Sequence, residues 1–468
     1  MAAAAVLSAG SALAHSEHDK ARFVAPGGVD QGRCDSAARP CATIAYAALN
    51  AGKGDRILVA GGTYPIEDPA DLFHVQSGLL DVRLGYSRYD HYMKADTEAN
   101  AVILTGVPPE FREGLTRRGF HVIADRKQLR GERLEQTRAM LKAVDSMRIA
   151  KSSEPCSGGT AGGLACESVD LLAHLPLGDF SQRPATANDI WGFVDLNTDR
   201  EYVLIGLNNG VAVVDVTEPT APVEVGNVRG DNTTWRDIKV LQRYDSAAGR
   251  YRAYAYVTAD GTGDQLQVID LNGLPNTVTL AASSPAIRFA HNVYMSDADF
   301  VSGLAVGGGE PALHIAGSNL GGGAVRSFRL DDPLDPSLAA TGTRGYTHDA
   351  ASLTVDDARA AAQCGTAGPC RVLADFNEST IELWDVTALD APGLLSSTAY
   401  ANSAYTHSGW ASEDGLHLFV HDELDEQQRG INTTLRVFSL ADLGQPLEVG
   451  SYVGPSHEAV VIGCARRP

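Results

Sequence analysis

No stretch of the chain approaches the ~18–20 consecutive apolar residues of a membrane-spanning helix, which excludes a helical span within these residues. Clusters of Lys and Arg are also lacking. With 38 basic against 58 acidic residues the net charge is −20, a field that repels nucleic acid and anionic lipid surfaces alike. The motifs of common hydrolases and nucleotide enzymes are missing: there is no GxSxG elbow, no HExxH and no phosphate loop. The Gly-rich stretches "GLAVGGGEP" and "SNLGGGAV" precede strand-like runs rather than helices, so they read as turns. No cysteine pair is a CxxC, and no His stands at zinc-ligand spacing from one.

What remains is a chain of 468 residues with 44% apolar and 21% charged residues, an ordinary globular composition with room for two or three domains. Residues 1–14, "MAAAAVLSAGSALA", carry no charge and end in the small-x-small triplet Ala12-Leu13-Ala14, which reads as the core and cleavage site of a secretory signal peptide. Six of the seven cysteines fall into local pairs, Cys34 with Cys41, Cys156 with Cys166 and Cys364 with Cys370. Each pair flanks a loop that a disulfide would staple, which agrees with an extracytoplasmic, secreted or cell-surface location. Cys464 is left over near the end, "CARRP".

Residues 15–125 hold short apolar strands separated by Gly and Asp, among them "RILVAGGTY", "LDVRLGY", "AVILTGV" and "FHVIAD". Their spacing suggests stacked rungs. The stretch "PCATIAYAALNAGKGDRILVAGGTYPI" resembles the opening of secreted parallel β-helix proteins, in which a capping helix precedes the first rung. Residues 126–168 read as an amphipathic helix, with Leu134, Leu141, Val144 and Met147 near one stripe, followed by a Gly/Ser linker.

From residue 169 to 468 the chain repeats. An apolar strand ending in Asp, then a Pro-containing turn and a further strand, recurs in "VAVVDVTEPTAPVEVG", "LQVIDLNGLP" and "IELWDVTALDAPGLLSS", with Ser in the Asp place in "LRVFSLADLGQPLEVGSY". A second element opens each unit: "NDIWGF", "WRDIKV", "AHNVY", "THDAA", "THSGW" and "SHEAV". Its key residues Asp189, Asp237, His291, His348, His407 and His457 are separated by 48, 54, 57, 59 and 50 residues. A period near 50 with several short strands per unit is that of a β-propeller. The expectation is therefore an all-β fold: a propeller of six to seven four-stranded blades, C-terminally incomplete after "SHEAVVIGCARRP". Val169–Gly178 is expected to supply an outer strand of the closing blade.

The ordered set "NDIWGFVD", "EYVLIGLNNGVAVVDV", "WRDIKV", "AHNVY", "YTHDA", "YTHSGW" and "HDELDE" resembles the choice-of-anchor B family of secreted bacterial propellers, and the "VAVVDVTEP" and "LWDVT" strands look like its LVIVD repeat. The resemblance runs from about Asp170 to Ile462 and implies export and attachment at the cell surface, with no defined biochemical role.

Three classes of function follow. The first is a binding or scaffolding module for an extracellular protein, glycan or small molecule. In that reading Trp191, Trp235, Arg236 and Trp410, beside the opening motifs, are candidates for a stacking or binding surface as well as for wedges between blades. The second is a metal-dependent enzyme of oxidase or lyase type. Equivalent repeat positions converge about a propeller axis, so Asp189, Asp237, His291, His348, His407 and His457 are candidate ligands for a divalent transition metal, with Asn292 or Asp349 orienting them. The bland alternative is a structural His copied by duplication. The acidic run "HDELDE", His421–Glu426, offers oxygen ligands suited to calcium but reads more simply as a solvated hairpin. The third class, a hydrolase, has no motif behind it.

Overall fold

The computed structural model describes residues 20–454 except 53, 262 and 319, and the side chain of 427. The leader-like segment 1–14, His457 and Cys464 lie outside the described residues. Within them the chain divides into two compact units, 20–176 and 177–454.

The first unit is built on two parallel sheets. Ala21–Val24, Arg56–Ala60 and Asp81–Tyr86 form one, and Gly62–Pro65, Val102–Thr105 and His121–Val122 the other. Successive strands of one sheet stack in rungs, as the β-helix likeness implied. The chain passes from one sheet to the other at Gly61-Gly62, where a side chain has no room. A Cβ on Gly61 would lie 2.7 Å from the backbone of Asn100, and one on Gly62 (φ +143°) 2.3 Å from Pro26. The "GKGD" break before the first long strand also has a cause. Asp55 is buried against Arg22, receiving its Nε at 2.7 Å and the backbone N–H groups of Lys20 and Gly52.

Helices fill the returns between rungs. Pro69–Ser77 starts on a capping box made by Asp68 and Asp71 and ends at left-handed Gly78. The amphipathic segment forms a helix only over Glu132–Ser146, because the chain turns at Gly131 (φ +57°). Val169–Gly178 does not add a blade strand. Leu171 and His174 pair instead with Glu154 and Lys151 of the same unit.

The second unit is a succession of five four-stranded antiparallel sheets, each running in chain order. Blade I comprises Ala187–Asp195, Arg200–Leu207, Gly210–Asp215 and Val223–Arg229. Blade II comprises Ile238–Asp245, Arg250–Val257, Gln265–Asp270 and Thr279–Arg288. Blade III comprises Asn292–Ser296, Ala312–Ala316, Arg326–Arg329 and Ser337–Thr341. Blade IV comprises Asp349–Val355, Cys370–Phe376, Ile381–Asp385 and Gly393–Thr398. Blade V comprises Thr406–Ala411, His417–Asp422, Thr434–Ser439 and Leu447–Val453. Five blades thus lie among the described residues where six to seven were expected, and the opening motif around His457 falls beyond them.

First strands of consecutive blades lie beside one another, so they are innermost. The fourth strand of blade V is exposed along its whole length. Between third and fourth strands every blade has a register shift, for example at Val213/Val214 and Leu383/Trp384. Such bulges raise the local twist.

The recurrent Asp at the end of the third strand closes the turn that follows. Asp215, Asp270 and Asp385 accept the N–H two residues on, from Thr217, Asn272 and Thr387, at 3.0, 2.7 and 2.9 Å. The hydroxyls of Thr217 and Thr387 then accept from the second strand at Glu201 and Arg371. Apolar residues of alternate positions interlock between blades, as with Leu204, Val211 and Val213 of blade I against Ile238, Val240 and Ala255 of blade II.

Candidate functional site at the propeller axis

Since the repeats are related by rotation, residues that precede the first strands gather at one end of the axis and those that follow them at the other. The two ends differ in chemistry. At the following end the loop after blade III's first strand carries Phe300, whose ring meets Trp191 at 5.3 Å, Trp410 at 5.0 Å and Tyr294 at 6.0 Å. The loop is pinned to blades I and II: Val301 O accepts from Val194 N at 2.9 Å, and Gly303 O from Gln242 N at 2.7 Å. An apolar plug results, and Trp191 and Trp410 belong to it.

At the starting end Asp189 and Asp237 flank a buried ammonium. Lys239 Nζ lies 2.5 Å from Asp237, 3.7 Å from Asp189 and 4.5 Å above the Trp191 ring. Asp237 also accepts Val293 N–H at 2.8 Å and so ties blade II to blade III. Trp235 packs edge-on against His291 at 5.9 Å. Arg236 is buried, its guanidinium held by Asp264 and by the carbonyls of Leu207 and Asp231.

The histidines of blades III to V form a contiguous file. Ring centroids of His291 and His348 are 4.6 Å apart, and those of His348 and His407 4.1 Å apart. His291 Nδ1 faces Asp260 at 3.3 Å. His348 Nδ1 bonds the carbonyl of His407 at 2.9 Å, and Asn292 Nδ2 donates to the carbonyl of His348 at 2.9 Å. His407 Nδ1 meets Ser408 Oγ at 3.1 Å, while its Nε2 lies 3.8 Å from Glu423. One potential ligand atom from each of His348, His407 and Glu423 falls within 4.8 Å of the other two.

Four partners of this file went unnoticed in the sequence, Asp260, Tyr346, Glu378 and Tyr405, and a fifth, Glu423, was noted only as part of the acidic run. The tyrosines had a signal, since Tyr346-Thr347-His348 and Tyr405-Thr406-His407 are the same tripeptide. Tyr405 Oη donates to Glu378 at 2.9 Å. Burial, reinforced by Asp260, Glu378 and Glu423, pushes the Tyr346 phenol well above its ordinary range. Burial does the same to Tyr405, helped by Tyr346, Glu378 and Glu423. Both therefore remain donors at neutral pH. Tyr346 is seated by the Gly-rich turn, where a Cβ on Gly323 would come 2.4 Å from its ring.

The acidic run is not a solvated hairpin. Asp422, Glu423 and Asp425 are all buried. Asp422 accepts the N–H groups of Ala404, Tyr405 and Leu424, and Asp425 pairs with Arg436 at 2.8 Å. These bonds replace the water that the run was expected to meet and fix the position of Glu423. His421 is pushed down to about 4, by burial first and then by His407 and Arg436.

Succession, strand order and central first strands define the second unit as a β-propeller. No family model matches the chain, and no curated protein matches it. Among solved structures it is similar to the Dos1 propeller, at 11% identity over 55% of this chain and 56% of that one, with a TM-score of 0.33. It is likewise similar to the Cps50 (Swd1) β-propeller domain of Myceliophteria thermophila, at 11% over 56% and 74%, TM-score 0.31. A nidogen/laminin complex matches at 12% over 57% and 80%, TM-score 0.33. These likenesses concern fold alone, and nothing about a ligand follows from them.

Among the described residues three disulfides are present, Cys34–Cys41, Cys156–Cys166 and Cys364–Cys370. Among the described residues no helix is long and apolar enough to cross a membrane.

Proposed function

We propose that the chain is an exported, surface-held propeller of the choice-of-anchor B kind, acting as a binding module that receives its ligand at the starting end of the axis. The observation that carries this reading is the contrast between the two ends. One is closed by Phe300, Trp191, Tyr294 and Trp410. The other gathers three histidines, two phenols and three carboxylates from blades II to V. Tyr346, Glu378 and His407 keep a little exposure and form the outer layer of that cluster, with His291, His348, Tyr405 and Glu423 buried. Three carboxylates in so small a volume favour a cationic ligand or a donor-rich one. Three disulfides suit an oxidising compartment.

The test is a printed array of glycans, peptides and small amines probed with the labelled full chain, in parallel with a Glu378→Gln/Tyr405→Phe variant of equal melting temperature. A ligand class retained by the parent and weakened at least about tenfold in the variant, some 1.4 kcal/mol, supports the reading. Equal binding by both chains refutes the placement of the site. A second reading, a metal-dependent enzyme, is favoured by the proximity of His348, His407 and Glu423. Conversion of an array ligand to product would select it.

A further inference from the structure

We infer that His348, His407 and Glu423 hold a divalent transition-metal ion, an inference that rests on reading the starting end of the axis as the binding seat. The donor set comes first. Two imidazoles with one carboxylate suit zinc, iron, nickel or copper, whereas calcium and magnesium take oxygen ligands throughout.

The His348 ring is held in the tautomer that such a site needs. His348 Nδ1 lies 2.9 Å from the carbonyl oxygen of His407. A carbonyl oxygen only accepts, so the proton of a neutral His348 ring sits on Nδ1 and the lone pair on Nε2. A ring nitrogen donating to a backbone carbonyl while the other faces the ion is the way metal-binding histidines are oriented. Here the carbonyl belongs to His407 itself, so the placement of the first ring is coupled to the chain that carries the second.

One ring nitrogen of each imidazole and one Glu423 oxygen lie within 4.8 Å of one another, and His407 Nε2 stands 3.8 Å from Glu423 Oε2. Ligands ~2.1 Å from a tetrahedral ion stand ~3.4 Å apart, so a contraction of at most about 1.4 Å closes the site. Glu423 is held for this purpose from its backbone, its N–H donating to Tyr405 O at 3.0 Å. His291, oriented by Asp260 at 3.3 Å, stands next to His348 as an outer partner. Asp189 and Asp237, which occupy the equivalent positions of blades I and II, are engaged by Lys239. The ion therefore belongs to the blade IV–V side of the axis rather than to a ring of all the repeats. Three protein ligands leave one coordination position for the module's own ligand.

The experiment uses the full chain, purified without a His-tag, stripped with chelator and titrated with Co(II) alone and then with Zn(II), alongside His407→Ala, Glu423→Gln and His291→Gln variants. Expected are about one equivalent of metal in the parent and visible Co(II) absorption of a low-symmetry site. His407→Ala and Glu423→Gln should each lose more than the ~10–100-fold typical of an outer partner, and His291→Gln no more than that. Glu423→Gln keeps the shape of the side chain, so its loss separates ligation from misfolding. A folded parent that takes up neither metal, or variants that bind as the parent does, overturns the inference. A parent that takes up no metal yet still binds an array ligand overturns the ion while leaving the binding module standing; metal uptake with no array ligand at all does the reverse.

Discussion

The sharpest consequence of blade III's packing concerns His314, at the centre of its second strand. The side chain is wholly buried, with Nδ1 3.0 Å from Ser327 Oγ and Nε2 3.0 Å from Ser296 Oγ. Two hydroxyls satisfy a neutral ring, one as donor and one as acceptor, but neither compensates a charge. Burial accordingly pushes the imidazole down to about 4 from its ordinary 6.5. The sign follows from linkage. Above the ordinary value both folded and unfolded chains are neutral here, so His314 contributes no pH dependence. As the pH falls below it, the unfolded chain takes up a proton that the native blade refuses, and stability is lost until the folded value is reached. Acidification from neutrality to about pH 4.5 should therefore cost roughly 2.5 kcal/mol through this one residue.

Other groups titrate over the same range, so the assay is a comparison. Urea unfolding of the parent and of His314→Leu is measured at neutral pH and at about pH 4.5. At neutrality the variant should be less stable by about 1–3 kcal/mol, because two buried hydroxyls lose their partner. In acid that deficit should vanish or reverse, since leucine carries no proton. Parallel losses in the two proteins would refute the reasoning, because they would mean that the native blade admits a charged His314.

Non-reducing peptide mapping of protein folded under oxidising conditions should recover Cys34–Cys41, Cys156–Cys166 and Cys364–Cys370, and replacing the last pair by serine should lower stability by about 2 kcal/mol; free thiols in that protein would count against both statements. In the first unit, Asp55→Ala strands the Arg22 guanidinium, whose ion pair is almost completely buried, and should cost about 3–5 kcal/mol, while Arg22→Met/Asp55→Leu should recover only part of that loss, because the N–H groups of Lys20 and Gly52 still lose their acceptor. A single variant within about 1 kcal/mol would show that water reaches the pair. Phe300→Ala should cost about 3 kcal/mol and red-shift tryptophan fluorescence, since Trp191 and Trp410 both pack on that ring; an unchanged spectrum would remove the plug.

Much of the architecture can be read from residue order. The Asp that ends the third strand of blades I, II and IV recurs because the same local bond does, an Asp that caps a turn two residues on, and an Asp or His stands at the opening of every first strand. Repetition of that kind is visible without coordinates. So are the stapled cysteine pairs, whose partners are 6 to 10 residues apart. The convergence of His291, His348 and His407 also follows from rotation of equal positions about one axis. What residue order does not reveal is which unequal positions join them. Asp260 and Glu378 come from turns after second strands, and Glu423 comes from a run that looks like solvated charge. Glu423 is buried because Asp422 is consumed by backbone donors and Asp425 by Arg436. Likewise Asp189 and Asp237 keep the repeat position of the histidines but are claimed by Lys239, a residue with no counterpart in the other blades. Periodicity encodes the contacts each blade makes in the same way as its neighbours. The chemistry of the axis depends on contacts that differ from blade to blade, and those are decided only when the blades pack.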